Sequence, residues 1–268
     1  MPAKRYRIQF PRTDANGLAQ DEAWFLLTEP DGSRTRIRFH DYDAIYSRPG
    51  LYEQLFYDRL KCNSPAKVAE ILKSALDQSR ENFAELRVLD LGAGNGLMGE
   101  ALKRYGVARL IGVDIIEEAR RAMERDRPHV YDDYLVSDFC ELQGKERESL
   151  QGWSLNCLTT VAALGFGDIP PAAFMEAFNQ IQSGGWVALN IRNTFLEMRD
   201  ETGFSRMFRE LIFSDYLNLY HLERYRHRLS MDGKPLHYFA IAGRKIEDIP
   251  VTFLARHDGS VQVPASPH

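Results

Sequence analysis

Apolar residues recur along this chain with two different periods, and the pattern changes near residue 85. Before that point the runs are short. YRIQF, AWFLLTE and TRIRFH, between residues 5 and 40, read as extended segments. The turn between the last two, Pro30-Asp31-Gly32-Ser33, has a proline to fix φ and a glycine to accept a positive one, so a β-hairpin is expected. A tyrosine-rich stretch follows, HDYDAIYSRPGLYEQLFYDRL, which reads as helical from Leu51 onward. Ser64-Pro65 then sets a capping hydroxyl before proline at the first helical position. Val68, Ile71, Leu72, Ala75 and Leu76 fall on one stripe and predict a packed helix over 65–79.

From Leu86 the periods alternate. LRVLD, RLIGVD, Tyr134 to Asp138, Ser154 to Val161 and Trp186 to Ile191 are strand candidates. Between them, LMGEALKRYG, IIEEARRAMERDRP and the segment opened by Pro170-Pro171 have helical spacing. Such alternation argues an α/β fold with a parallel sheet covered on both faces. Two further strand-like runs, HLERYRHRLS and PLHYFAIAGRK, flank Met231-Asp232-Gly233-Lys234 and suggest an antiparallel hairpin closing the sheet. The expected organisation is an N-terminal hairpin and helical cover over 1–84, a core over 85–245 and a tail over 246–268 that offers little to the core.

Composition narrows the function classes. The chain has 268 residues with 34 basic and 38 acidic side chains, a formal charge of −4. That is no footprint for wrapping a nucleic-acid backbone, so no nucleic-acid partner is expected. Cys62, Cys140 and Cys157 form no CxxC pair, which suits a reducing compartment. The longest uncharged stretches are too short to span a bilayer, and the first residues, MPAKRYRIQFPRTD, contain no apolar signal core. A cytoplasmic protein with no membrane partner is the expectation. No His/Cys/Asp spacing resembles a metal site.

The most informative stretch is VLDLGAGNG, Val88 to Gly96: a buried strand running into three alternating glycines and then a helix. Glycine lets the backbone turn sharply and lets a ligand lie against the main chain. A dinucleotide site wants G-x-G-x-x-G, but the third position here is Leu97 and the glycine arrives early, at Gly96. Asp90, before the first glycine, suits a ligand with a cationic end better than a pyrophosphate.

This stretch resembles the first motif of class I S-adenosylmethionine-dependent methyltransferases, and the resemblance extends over about residues 85–244. It implies a Rossmann-like, doubly wound, seven-stranded and mostly parallel sheet, with S-adenosylmethionine as cofactor. It also implies contacts to the cofactor from Asp90 and from the loop Gly92, Ala93, Gly94, Asn95 and Gly96. Asp114, ending the strand LIGVD, matches the acidic residue that binds the ribose hydroxyls, and Ile115 the apolar residue against adenine. Asp138 and Phe139 match the segment that takes the adenine amino group. Ala162, after the fourth strand, matches the region beneath the sulfonium.

Asp114 also fits a helix cap, and the tyrosines of residues 41–60 also fit simple packing. Position favours more for the second group: this segment precedes the first core strand and is expected to cover the methyl-donor end, with Tyr46 the chief contact. Residues 193–221 are expected to supply the rest of a pocket for a small-molecule acceptor. DNA amino-methylating and cytosine C5 patterns are both absent after the fourth strand. No catalytic residue is assigned, because in-line methyl transfer rests mainly on positioning. Two other readings stay open: a non-catalytic cofactor-binding protein on the same fold, and a nicotinamide-dependent dehydrogenase.

Overall fold

A computed structural model describes residues 5–11, 22–29, 31–164, 168–193, 204–250 and 252–253. Near the N-terminus, β1 (Arg7–Gln9), β2 (Trp24–Thr28) and β3 (Arg34–Arg38) form an antiparallel sheet in the order β1-β2-β3. The expected hairpin therefore gains a third strand. Ile8 pairs with Leu27, which puts Tyr6 and Ile8 in one buried cluster with Phe25, Leu27 and Ile37. Of the turn residues, Pro30 lies outside the described residues, and Gly32 takes a φ of +85°.

The tyrosine-rich segment is helical in two pieces rather than one. α1 (Tyr42–Tyr46) comes first, and a π-helical segment (Glu53–Arg59) follows after Gly50, whose φ of +76° breaks the path. α2 (Ser64–Ser79) buries the whole predicted stripe and packs on the large sheet and on α3 rather than on the small one. Its C-cap, Arg80, is left-handed.

The large sheet is built from β4 (Arg87–Leu91), β5 (Arg109–Asp114), β6 (Asp133–Val136), β7 (Cys157–Thr160), β8 (Trp186–Arg192), β9 (Leu217–Leu229) and β10 (Pro235–Lys245). The intervening helices are α3 (Leu97–Lys103), α4 (Glu117–Asp126), α5 (Gly144–Gly152), α6 (Pro171–Asn179) and α7 (Phe204–Phe213). Strand order is β6-β5-β4-β7-β8-β10-β9. The first five strands run parallel, while β10 pairs antiparallel with both β8 and β9. This is the α/β sheet anticipated from the periodicity. Strand order reverses between β4 and β7, and in open α/β sheets a ligand crevice forms outside the carboxyl ends at such a point.

At the periphery, one expectation is corrected. Past β10, Ile249 and Phe253 do contribute to the core: they are 2% and 6% exposed, in the same cluster as α6 and α7. The segment 193–221 holds α7, whose Met207, Phe208 and Leu211 are buried in the sheet's apolar layer. Residues 194–203 lie outside the described residues. Among the described residues, no helix is long and apolar enough to cross a membrane.

Candidate active site

The loop after β4 needs its glycines. Gly92, Gly94 and Gly96 all take positive φ, +73°, +55° and +88°, where a Cβ would be strained. The Gly92 and Ala93 amides both donate to the carbonyl of Val113, at 2.8 and 2.9 Å, so the turn is tied to the end of β5. At that end Asp114 accepts from the Gly94 amide at 2.9 Å and from the Ile116 amide at 3.2 Å. The second bond supports the entry into α4, so the capping reading and the cleft reading coexist. Burial pushes the Asp114 carboxyl up, against the backbone amides that favour its charged form.

These groups open on one cleft of about 320 Å³ at the carboxyl ends of the parallel strands. Gly92, Asp114, Ile115, Asp138, Phe139 and Ala162 line it, as does Tyr46. Ile115 is 60% exposed, an unusual state for a large apolar side chain at a strand end. Ala162 takes a φ of +60°, and its amide donates to the buried Asn190 Oδ1 at 2.7 Å. Among the described residues, the segment 193–221 contributes nothing to this wall.

The remaining sequence candidates sit elsewhere. Asp90 is 1% exposed and lies off the cleft wall, accepting from Tyr131 Oη at 2.6 Å and Thr159 Oγ1 at 2.7 Å. It braces the strand–loop junction from behind. Burial raises its pKa to about 6, with the two hydroxyls pulling the other way. Ala93 packs into the apolar layer beside Gly112, and Gly96 faces Val130 and Met123. The Asn95 side chain is also turned inward: its Nδ2 donates to Glu53 Oε1 at 2.7 Å. Arg127 bonds the same Glu53 oxygen at 2.8 Å and Glu100 at 2.9 Å, clamping the π-helical segment to the loop. Gly94 lies under the cover, because the Tyr46 hydroxyl occupies the place a Cβ there would take.

The cover is an aromatic stack. Tyr42 and Tyr46 stack at 6.0 Å and Tyr46 and Tyr52 lie 5.0 Å apart, all three on the cleft wall. Burial pushes the phenols of all three up, so they remain neutral hydrogen-bonding groups. The Tyr46 carbonyl accepts from Arg125 Nη1 at 3.1 Å, which ties α1 to α4. One pair escaped the sequence reading. His40, just after β3, and Asp168, just before α6, meet in the cleft although 128 residues separate them. Neither residue belongs to a motif that the sequence shows. Among the described residues, no group of His, Cys, Asp and Glu has the arrangement of a metal site.

Residues 89–189, from β4 to β8, match the family model of a methyltransferase domain. Over that stretch the chain is similar to a methyltransferase domain. No curated protein sequence matches the chain. Solved structures give likenesses of low identity. A methyltransferase from Listeria monocytogenes, described as S-adenosylmethionine-dependent, is 15% identical with a TM-score of 0.48, covering 68% of this chain and 99% of that one. Magnesium protoporphyrin IX methyltransferase from Synechocystis PCC 6803 with bound S-adenosylmethionine is 13% identical with a TM-score of 0.45, covering 68% and 79%. A candidate RNA methyltransferase from Pyrococcus horikoshii is 14% identical with a TM-score of 0.49, covering 67% and 84%.

The cleft suits S-adenosylmethionine, the cofactor that the sequence resemblance implies. A Cβ on Gly92 would meet Ala163 at 2.9 Å and Ile169 at 3.0 Å, so glycine is needed there for the loop to pack against those side chains. Beside it stand the Asp114 carboxylate, the exposed face of Ile115, and Asp138 with Phe139. A diol, a heteroaromatic face and an exocyclic amine would find partners in that order along the strand ends.

Proposed function

We propose that this protein transfers a methyl group from S-adenosylmethionine to a small-molecule acceptor bound under the tyrosine cover. The observation that carries the reading is that the glycine turn, the ends of β5 and β6 and the aromatic wall of the N-terminal cover all open on one cleft. In this reading Asp114 accepts hydrogen bonds from the ribose, Ile115 lies against adenine, and Asp138 takes the adenine amino group. Gly92 lets the methionine end approach the loop, and Tyr46, seated on Gly94, covers it.

When bound, the cofactor supplies an electrophilic methyl with its leaving group built in. The chain's own part is to hold the acceptor in line and keep water out, which contributes roughly 7–11 kcal/mol through positioning. We assign residues 85–245 to the catalytic core and 1–84 to its cover, with α2 packed on the core's sheet. Unpaired Cys62, Cys140 and Cys157 suit a reducing compartment, the cytoplasm. Calorimetry with S-adenosylhomocysteine, followed by labelled S-adenosylmethionine in a metabolite extract, tests the reading. Homocysteine-form binding and a labelled small product are expected. No binding, or binding of NADH in its place, would overturn it.

A further inference from the structure

The proposed function leaves the pair His40 and Asp168 without a task. His40 Nδ1 lies 3.0 and 3.2 Å from the two carboxylate oxygens of Asp168. Their side chains are 21% and 24% exposed, sheltered enough to hold one geometry and open enough to meet a ligand. Ile169, next to Asp168, sits with Ala163 directly over Gly92, so the pair stands at the glycine-turn end of the cleft. The ring of Tyr42 meets His40 edge-on at 5.7 Å. A carboxylate at Nδ1 holds the proton there and leaves Nε2 as the basic nitrogen.

Charge selects the acceptor. Asp43, Asp114, Asp138 and Asp168 all line the cleft, and no lysine or arginine does so among the described residues. Together with the rings of Tyr42, Tyr46 and Tyr52, this surface attracts a cation and repels phosphate or carboxylate groups.

Resting on the methyltransferase reading above, we infer that His40, oriented by Asp168, is the general base of the transfer and that the acceptor is an amine. An amine arrives as its ammonium, whose lone pair is tied up by a proton. That proton passes to His40 Nε2, and the imidazolium is stabilised by Asp168. The freed lone pair attacks the methyl carbon, the N–C bond forms, and the C–S bond breaks with its electron pair left on sulfur. The products are the methylated ammonium and S-adenosylhomocysteine, and the imidazolium returns its proton to water. Positive charge only moves within the cleft during deprotonation. A hydroxyl acceptor would instead develop negative charge beside the Asp168 carboxylate.

The test uses the full chain and its His40→Asn, His40→Ala and Asp168→Asn variants. Nitrogen NMR of labelled histidine is the readout independent of turnover: the His40 signal, assigned by its loss in His40→Asn, is expected in the Nδ1–H form. Asp168→Asn is expected to give mixed tautomers. S-adenosylhomocysteine affinity should stay within about threefold in all variants, which separates this inference from the cofactor reading. A panel of aryl-alkyl and alkyl amines, phenols and carboxylates is then offered with labelled S-adenosylmethionine. Amines alone should be methylated, and His40→Asn should lower kcat by about 10²–10⁴-fold with little change in KM, the range for a lost general base. Added imidazole should restore at least tenfold in His40→Ala. Labelling of phenols or carboxylates only, no methylation of any amine by a protein that binds S-adenosylhomocysteine, or full kcat in His40→Asn would each overturn the inference. Failure to bind S-adenosylhomocysteine at all would overturn the proposed function beneath it as well.

Discussion

Asp90 and Asp114 end neighbouring strands and have opposite surroundings. Asp114 faces the cleft with two backbone donors, while Asp90 is sealed behind the loop by Tyr131 and Thr159. Charged acceptors make bonds worth roughly 1.5–3 kcal/mol. Asp114→Ala should therefore weaken S-adenosylhomocysteine binding at least about tenfold by calorimetry, and unchanged affinity would remove Asp114 from the cofactor's contacts. Asp90 governs stability instead. Its folded pKa of about 6 stands above an unfolded value near 3.9. The folded state thus holds a proton that the unfolded state has released, so this group's contribution is fully present below about pH 4. It is lost as pH rises through 6 and is level above that. Asp90→Asn has no such loss, so its stability relative to the parent should improve by on the order of 2–3 kcal/mol between pH 4 and 7.5. Urea unfolding at the two pH values measures it, and a pH-independent difference would contradict the assignment.

At the level of elements, the cover is fastened at identifiable points. Arg127 joins Glu53 of the π-helical segment to Asn95 and Glu100, and Arg125 holds the Tyr46 carbonyl. Arg127→Met should free residues 41–60, seen as faster amide exchange there with the β4–β8 core unchanged. Tyr46→Phe keeps the ring on Gly94 and loses only the hydroxyl. Its melting temperature should stay within a few degrees while cofactor affinity or turnover falls; a full-affinity, full-turnover variant would reduce Tyr46 to packing. The strands were legible in the sequence because a fully buried parallel strand must be a run of apolar residues. α5 was not, since GKERESLQG buries only Leu150 and leaves no stripe. The side taken by Asp90 follows from the two-residue period of β4: Leu89 and Leu91 face one apolar layer and Val88 the other, with Tyr131. Motif spacing says nothing about that choice. The His40–Asp168 pair was beyond reach for another reason, since only the docking of the cover on the core brings the two together.

For the whole molecule, charge and the shape of the cleft point the same way. Binding a nucleic-acid backbone requires basic side chains that neutralise several phosphates at once, and the released counterions make such binding steeply salt-dependent. This chain carries a formal charge of −4, and its cleft wall presents four carboxylates. Many of its arginines are committed to carboxylates: Arg127 to Glu53 and Glu100, Arg48 to Glu29, Arg120 to Glu117 and Arg147 to Glu176. A phosphate approaching Asp168 would meet repulsion at the point where an acceptor must come closest to the methyl. Duplex DNA, single-stranded DNA and structured RNA should therefore bind weakly at about 150 mM salt and without sequence preference, well short of the roughly 10⁻⁸–10⁻¹¹ M of specific complexes. Fluorescence anisotropy across a salt series reads both affinity and slope. A nanomolar dissociation constant for any of these polymers at that salt would mean that a phosphate-neutralising surface exists, and the acceptor would then have to be sought on a nucleic acid.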